Sequence, residues 1–276
     1  MSIGSYAQAA AVEHLWSHTI GIANRAIVTR GTDPGTGLPA QEQEAPGTAV
    51  AGIWGKHHFI LTANHVLDEA VPDDLSFFVR PTGSLRQVSE VTIQDGLVAL
   101  PLNDRDATIH RCGWEDLALL TTKPDALSPY LEFVDIASSW IDPQEGETVV
   151  GVGYPVSSGV IFRRQVGPCL QQAVLLCPMG FSGAVLPPTT GRNFGAFDPD
   201  RHYLIPYELA NQGKHPKGIS GAAVWGEAAE KHIVWTPRFK FAGICTSCYR
   251  DGTVEQIVKA SVVRQFLLDV LGTPEK

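Results

Sequence analysis

The chain predicts an all-β protein in two halves, closed by one C-terminal helix, and three observations carry this. Its apolar runs are short, and 27 glycines and 19 prolines among 276 residues supply turns between them. The patterning loosens once, between about Thr122 and Gly146, where "KPDALSPYLEFVDIASSWIDPQEG" carries prolines and acids. A second set of apolar runs then begins. With 44% hydrophobic and 18% charged residues, the chain can bury a sizeable core.

Taken in order, residues 6–19 read as a short opening helix and "HTIGIANRAIVTR" (18–30) as a strand. "GTDPGTGLPAQEQEAPG" (31–47) is a turn-rich, mobile loop. "TAVAGIWGKHHFILTANHVL" (48–67) predicts two strands about a turn at Gly55-Lys56. Strands follow at "LSFFVR", "SEVTIQ", "LVALPL" and "LALLTT". Beyond the joint they resume at "ETVVGVGYP", "GVIFRRQV", "AVLLC", "GAVL", "GAAVW" and "KFAGICTS". Finally, Val262, Val263, Phe266, Leu267, Val270 and Leu271 form a helical stripe stopped by Gly272 and Pro274.

Composition narrows the class of function. A net charge of −8 argues against nucleic acid as a partner, because a phosphate-binding surface needs a basic excess. No apolar run approaches the ~18 residues of a membrane span, and no membrane partner is expected. The N-terminus lacks the basic and apolar regions of a signal peptide. Five unevenly spaced cysteines do not make a disulfide framework, so a cytoplasmic protein with reduced thiols is expected.

Two stretches, "MGFSGAVL" (179–186) and "KGISGAAVW" (217–225), each hold a serine in the order Gly-x-Ser-Gly-Ala. Serine-based acyl transfer also needs an imidazole to take the hydroxyl proton, a carboxylate to orient it, and N–H groups facing the oxyanion. "ILTANHVL" puts His65 just past an apolar strand, "WEDLALL" puts Asp116 at the mouth of another, and "GISGA" puts Ser220 two residues after Gly218. The N–H groups of Gly218 and Ser220 could then converge as an oxyanion hole. Ser182 stands only 66 residues after Asp116 (182 − 116) and would leave "GISGA" idle. Its alternative is a hydrolase order of Ser182, Asp198 or Asp200, and His215 or His232, but Ala184 replaces the last glycine of that elbow. His14 and His18 lack the glutamate of a zinc-peptidase helix, and Cys245 with Cys248 lacks a second pair. No cofactor or metal is expected.

The motifs "TANH", "DLAL" and "GISG", in that order, resemble those of trypsin-like (chymotrypsin-fold) serine peptidases. "VVGVGYP" resembles the first strand of the second barrel in bacterial members. The resemblance covers most of the chain from about Gly47, leaving the first 40 residues and 187–215 aside. It implies two six-stranded antiparallel barrels with a C-terminal helix. Residues 1–125 would hold an N-terminal extension and the first barrel, 126–145 the connection, and 146–276 the second barrel and helix. It further implies a serine endopeptidase with the triad His65, Asp116 and Ser220, acting on protein or peptide substrates, with a regulatory protein as a further candidate partner. Val66 stands where secreted animal members have cysteine, and Ile219 where they have the aspartate that pairs with a newly cut N-terminus, so that mode of activation is not expected. Nor is a peptide-binding (PDZ-like) extension after the helix.

In such a fold the primary pocket is walled by 211–218 and by about Thr246 to Tyr249. Lys214, His215, Thr246, Ser247 and Cys248 are therefore the candidate pocket residues, with Lys214 or His215 favouring an acidic side chain. The alternatives are a latent member acting as a protein-binding module, its cleft covered by 31–47 and 187–215, and an esterase using Ser182.

Overall fold

The computed structural model describes residues 14–24, 27–32, 39–43, 47–67, 75–79, 93–94, 97–101, 107–121, 131–155, 160–166, 169–175, 178–208, 210, 213, 215–227, 239–250 and 252–275. The protein is mostly antiparallel β-sheet with one C-terminal helix. The first sheet comprises β1 (Thr19–Asn24), β4 (Gly47–Trp54), β5 (His57–Ala63), β6 (Leu75–Val79), β7 (Ile93–Gln94), β8 (Leu97–Pro101), β9 (Thr108–Cys112) and β10 (Leu117–Thr121). They lie in the order β7-β8-β6-β1-β4-β5-β10-β9, with the short β11 (Val134–Asp135) parallel to β4. The second sheet runs β15 (Met179–Ala184), β12 (Thr148–Gly153), β17 (Ala223–Glu227), β18 (Phe239–Tyr249), β19 (Val254–Lys259) and β16 (His202–Pro206). This sheet curls until its two end strands meet: Leu186 N–H donates to Leu204 O at 2.8 Å, and Gly183 packs on Pro206.

The central strands bury both faces, which is why they read as unbroken apolar runs rather than as alternation. Val50, Phe59, Leu61, Leu117 and Leu119 join Val150, Val152, Ala223, Trp225 and Phe241 in one core between the two sheets. Alternate residues of the first sheet (Ala49, Ala51, Ile60, Ala118 and Leu120) pack on its far side with Ile20, Ile22 and Phe77. Val149, Val224, Cys245 and Ile257 pack on the far side of the second with Phe181, Tyr207 and Ile219. Helix α1 (Ala260–Leu271) adds Val263, Phe266 and Leu267 to the shared core and ends at Gly272. Arg264 stacks on Trp140 at 4.2 Å, and Trp54 Nε1–H donates to Gly272 O at 2.7 Å, fixing the helix to the connecting segment and to the first half.

Several sequence expectations change. The single strand expected over 18–30 is two strands, β1 in the first sheet and β2 (Ile27–Thr32) in a third. The expected loop 31–47 contributes the end of β2 and β3 (Pro39–Gln43), paired antiparallel in that third sheet. There β3 runs parallel to β14 (Cys169–Leu175), which pairs with β13 (Val160–Val166), so the two sequence halves share a sheet. Period-two patterning marks a strand without naming its partner. Of the helix expected over 6–19, the described residues show His14–Trp16 helical and the chain entering β1 at Thr19, and residues 6–13 lie outside the described residues.

Three further strands carried no clear signal. β9 ("TIHRC") has no fully buried residue, and β16 ("HYLIP") sits at a sheet edge and ends on proline. β19 ("VEQIVK") interrupts its apolar run with Glu255 and Gln256, both buried. Among the described residues no helix is long and apolar enough to cross a membrane.

Candidate active site

β5 runs apolar to Ala63, and the chain then tightens into a 3₁₀ turn over Asn64–Leu67. Val66 and Leu67 are buried and anchor that turn, leaving His65 exposed. β10 pairs with β5 so that Leu117 faces Ala63, which sets Asp116 beside the turn. The join is threefold. Asn64 N–H donates to Asp116 O at 2.8 Å, and His65 N–H donates to Asp116 Oδ1 at 2.9 Å. His65 Nδ1 meets Asp116 Oδ2 at 2.6 Å. Asp116 adopts a φ of 52°, a left-handed conformation that aspartate tolerates better than most residues and that turns its carboxylate back onto His65. With Nδ1–H donating to the carboxylate, Nε2 carries the imidazole lone pair and can act as a base.

Ser220 lies half-buried in a turn leading into β17. Thr48, fully buried at the start of β4, pins this turn to the first sheet. Its N–H donates to Ser220 O at 2.9 Å and its hydroxyl to Gly218 O at 2.8 Å. That hydroxyl also accepts Tyr154 N–H at 2.9 Å, and Thr62 Oγ1 donates to Thr48 O at 2.6 Å. Gly221, with φ 86°, lies against Thr48 O, Thr62 Oγ1 and Ala63 N. A Cβ there would overlap the first two of these atoms, so only glycine lets the serine turn approach the end of β5, two residues before His65.

Around Ser220 the N–H groups divide. Ile219, Gly221 and Ala222 donate to Pro216 O, Cys245 O and Ile219 O. Among the described residues, the N–H groups of Gly218 and Ser220 donate to none. Gly218 has φ 100°, the kind of kink that leaves neighbouring N–H groups free for an anion.

Ser182 is not in a turn: it lies within β15, paired opposite Val150 of β12. Lys214 lies outside the described residues. His215 is exposed, and its Nδ1 accepts Lys217 N–H at 3.1 Å. Thr246 is buried, Ser247 half-buried and Cys248 exposed, along one stretch of β18.

Two contributors were missed in the sequence. Thr48 resembled any strand threonine. Glu115, beside Asp116, is buried and ion-paired with Arg201, with His202 Nε2 at 3.4 Å. Burial pushes the Glu115 carboxyl up, opposed by the Arg201 charge, and burial lowers His202. Arg201 and His202 fall in the 187–215 segment that carried no motif. This segment is clamped to the Asp116 turn, and Lys259 Nζ holds Pro199 O at 2.6 Å. The only advance signal was an acid beside Asp116 at the mouth of an apolar strand. Compared with protein-family models and with curated proteins, the chain matches none.

Proposed function

We propose that the chain is a serine endopeptidase with His65, Asp116 and Ser220 as its triad, built on two barrels of chymotrypsin type with substrate in the cleft between them. The observation that carries this reading is the His65–Asp116 pair, held by two hydrogen bonds, beside a serine turn docked on Thr48. His65 Nε2 removes the Ser220 proton as Oγ attacks the peptide carbonyl. Asp116 holds the imidazole and stabilises its cationic form. The N–H groups of Gly218 and Ser220 receive the tetrahedral oxyanion.

The imidazolium then protonates the leaving amine, and an acyl ester remains on Ser220. Water attacks this ester with His65 again as base, releasing the carboxylate product and restoring the hydroxyl. Every proton is returned, so the cycle calls for no cofactor.

Labelling with a fluorophosphonate tests the reading. The expected adduct is on Ser220, and His65→Ala abolishes it. An adduct on Ser182 would transfer the nucleophile to an esterase site, and an unreactive Ser220 would leave a fold that binds without cutting.

A further inference from the structure

Glu115 and Asp116 are chain neighbours whose carboxylates go to different halves of the molecule. The left-handed turn at Asp116 brings its own carboxylate onto His65. Glu115, only 3% exposed, meets Arg201 and His202 where the chain enters β16. Arg201 pairs with Glu115 Oε1, and His202 Nε2 stands 3.4 Å from Oε2. His202 Nδ1 accepts Asp198 N–H at 3.1 Å, so the proton of the neutral ring sits on Nε2 and faces Glu115. Among the described residues neither Glu115 oxygen has a hydrogen-bond partner in its own half. A carboxylate this buried needs partners to keep its charge, and these come from the second half.

The platform under Arg201 is well tied. Arg201 N–H and His202 N–H both donate to Asp198 O, at 3.1 and 2.7 Å, and Arg201 O accepts Lys259 N–H at 2.9 Å. Lys259 Nζ donates to Pro199 O and Asp200 O, and His202 lies opposite Val258 in the ladder of β16 with β19. β19 in turn pairs with β18, whose Cys245 is bonded to Gly221 and Ala222 of the serine turn. Two ties therefore join the parts of the triad, in opposite directions. Thr48 of the first half holds the Ser220 turn, and Arg201 of the second half holds the Asp116 turn. The bonds within the first half join Asp116 to His65 but do not set where that pair stands relative to Ser220. We propose that Glu115 is a positioning residue, which through Arg201 fixes the His65–Asp116 pair against the half that carries Ser220. This rests on the peptidase reading of the site.

Glu115→Gln and Arg201→Gln are each expected to lower kcat for peptide hydrolysis by about 10–100-fold with KM kept within about twofold, since small misplacements of reacting groups cost on this order. The double variant is expected to be no slower than the worse single one, because both break the same tie. Arg201→Lys, which keeps the charge, is expected to recover most of the rate lost with glutamine. The acid limb of the Ser220 labelling rate, which follows the titration of His65, should move to lower pH in both glutamine variants. An imidazolium less well held by Asp116 is less stable. A direct effect of charge would instead move the limb down on loss of Glu115 and up on loss of Arg201. Arg201 is exposed, so its variants test the tie even where Glu115→Gln fails to fold. Unchanged kcat, additive losses or limbs moving in opposite directions, with wild-type Ser220 reactive, overturn the role of Glu115 alone. An unreactive wild-type Ser220 overturns the peptidase reading along with it.

Discussion

The stretches Gly180–Ala184 and Gly218–Ala222 share the order Gly-x-Ser-Gly-Ala and take opposite structures. The first lies within β15, in continuous register with β12, and none of its residues has a positive φ. The second is a turn whose Gly218 and Gly221 stand at φ 100° and 86°. Gly183 serves closeness: a Cβ would press on Pro206 of the facing edge strand. Gly221 serves both closeness and handedness, against Thr48 and Thr62 of the other half. Tertiary partners, not the local order of residues, decide whether this segment becomes a tight turn or a strand.

The widest separation between the two is expected from serine removal. Ser220→Ala should lower kcat on the order of 10⁴–10⁶-fold. Ser182→Ala should change it by less than about threefold, since Ser182 sits within the regular pairing of β15 with β12 and not in the turn that carries Ser220. Peptide hydrolysis by the two variants side by side measures this, and equal losses would erase the distinction drawn between the stretches.

Glycine substitution sharpens the same contrast. Gly221→Ala meets both an unfavourable φ and overlap with Thr48 O and Thr62 Oγ1, so a cost of roughly 3–5 kcal/mol is expected. The serine turn would lift from β5, and Ser220 labelling should slow more than 10²-fold, by the general sensitivity of catalysis to misplacement. Gly183→Ala should cost about 1–3 kcal/mol through overpacking, with the labelling rate kept. Urea unfolding and labelling rates, measured on both, separate stability from placement. Thr48→Val is milder: it keeps shape but deprives Gly218 O and Tyr154 N–H of their shared hydroxyl. About 1–3 kcal/mol of stability should go, with a slower Ser220.

What was legible in the sequence follows from these contrasts. The first-half site reads directly, because His65 and Asp116 sit at the ends of adjacent apolar strands whose register joins them. The strands β4, β5, β10, β12 and β17 announced themselves by burying both faces. Illegible were the contacts that cross between distant segments: Thr48 on Gly218, Glu115 on Arg201, and β3 alongside β14. Each depends on a partner far away in the chain, and none alters the local pattern of either segment. Glu255 was hidden for another reason. A charged residue in a short run looks like a solvent-facing strand position, and only the fold reveals that its face is the interior.

That interior acid gives the last and smallest prediction, a pH slope set by the second sheet, whose strand β18 is bonded through Cys245 to the Ser220 turn. Glu255 is held at about 8 in the folded protein against an ordinary carboxyl value of 4.5. Between those values the unfolded chain has released this proton and the folded one still keeps it, so the unfolded state binds fewer protons. Stability must therefore fall as pH rises through that window, by up to about 1.4 kcal/mol per pH unit, and level off above it. Cys245, Cys248 and Tyr207, which face the carboxyl, are themselves raised and stay protonated there. Urea unfolding of wild type and Glu255→Gln at a series of pH values from about 5 to 8 reads the difference directly. The difference should favour the variant increasingly as pH rises, because glutamine has no proton to lose. A constant difference across the window would mean that Glu255 is already ionised in the folded protein and that its burial does not hold the proton.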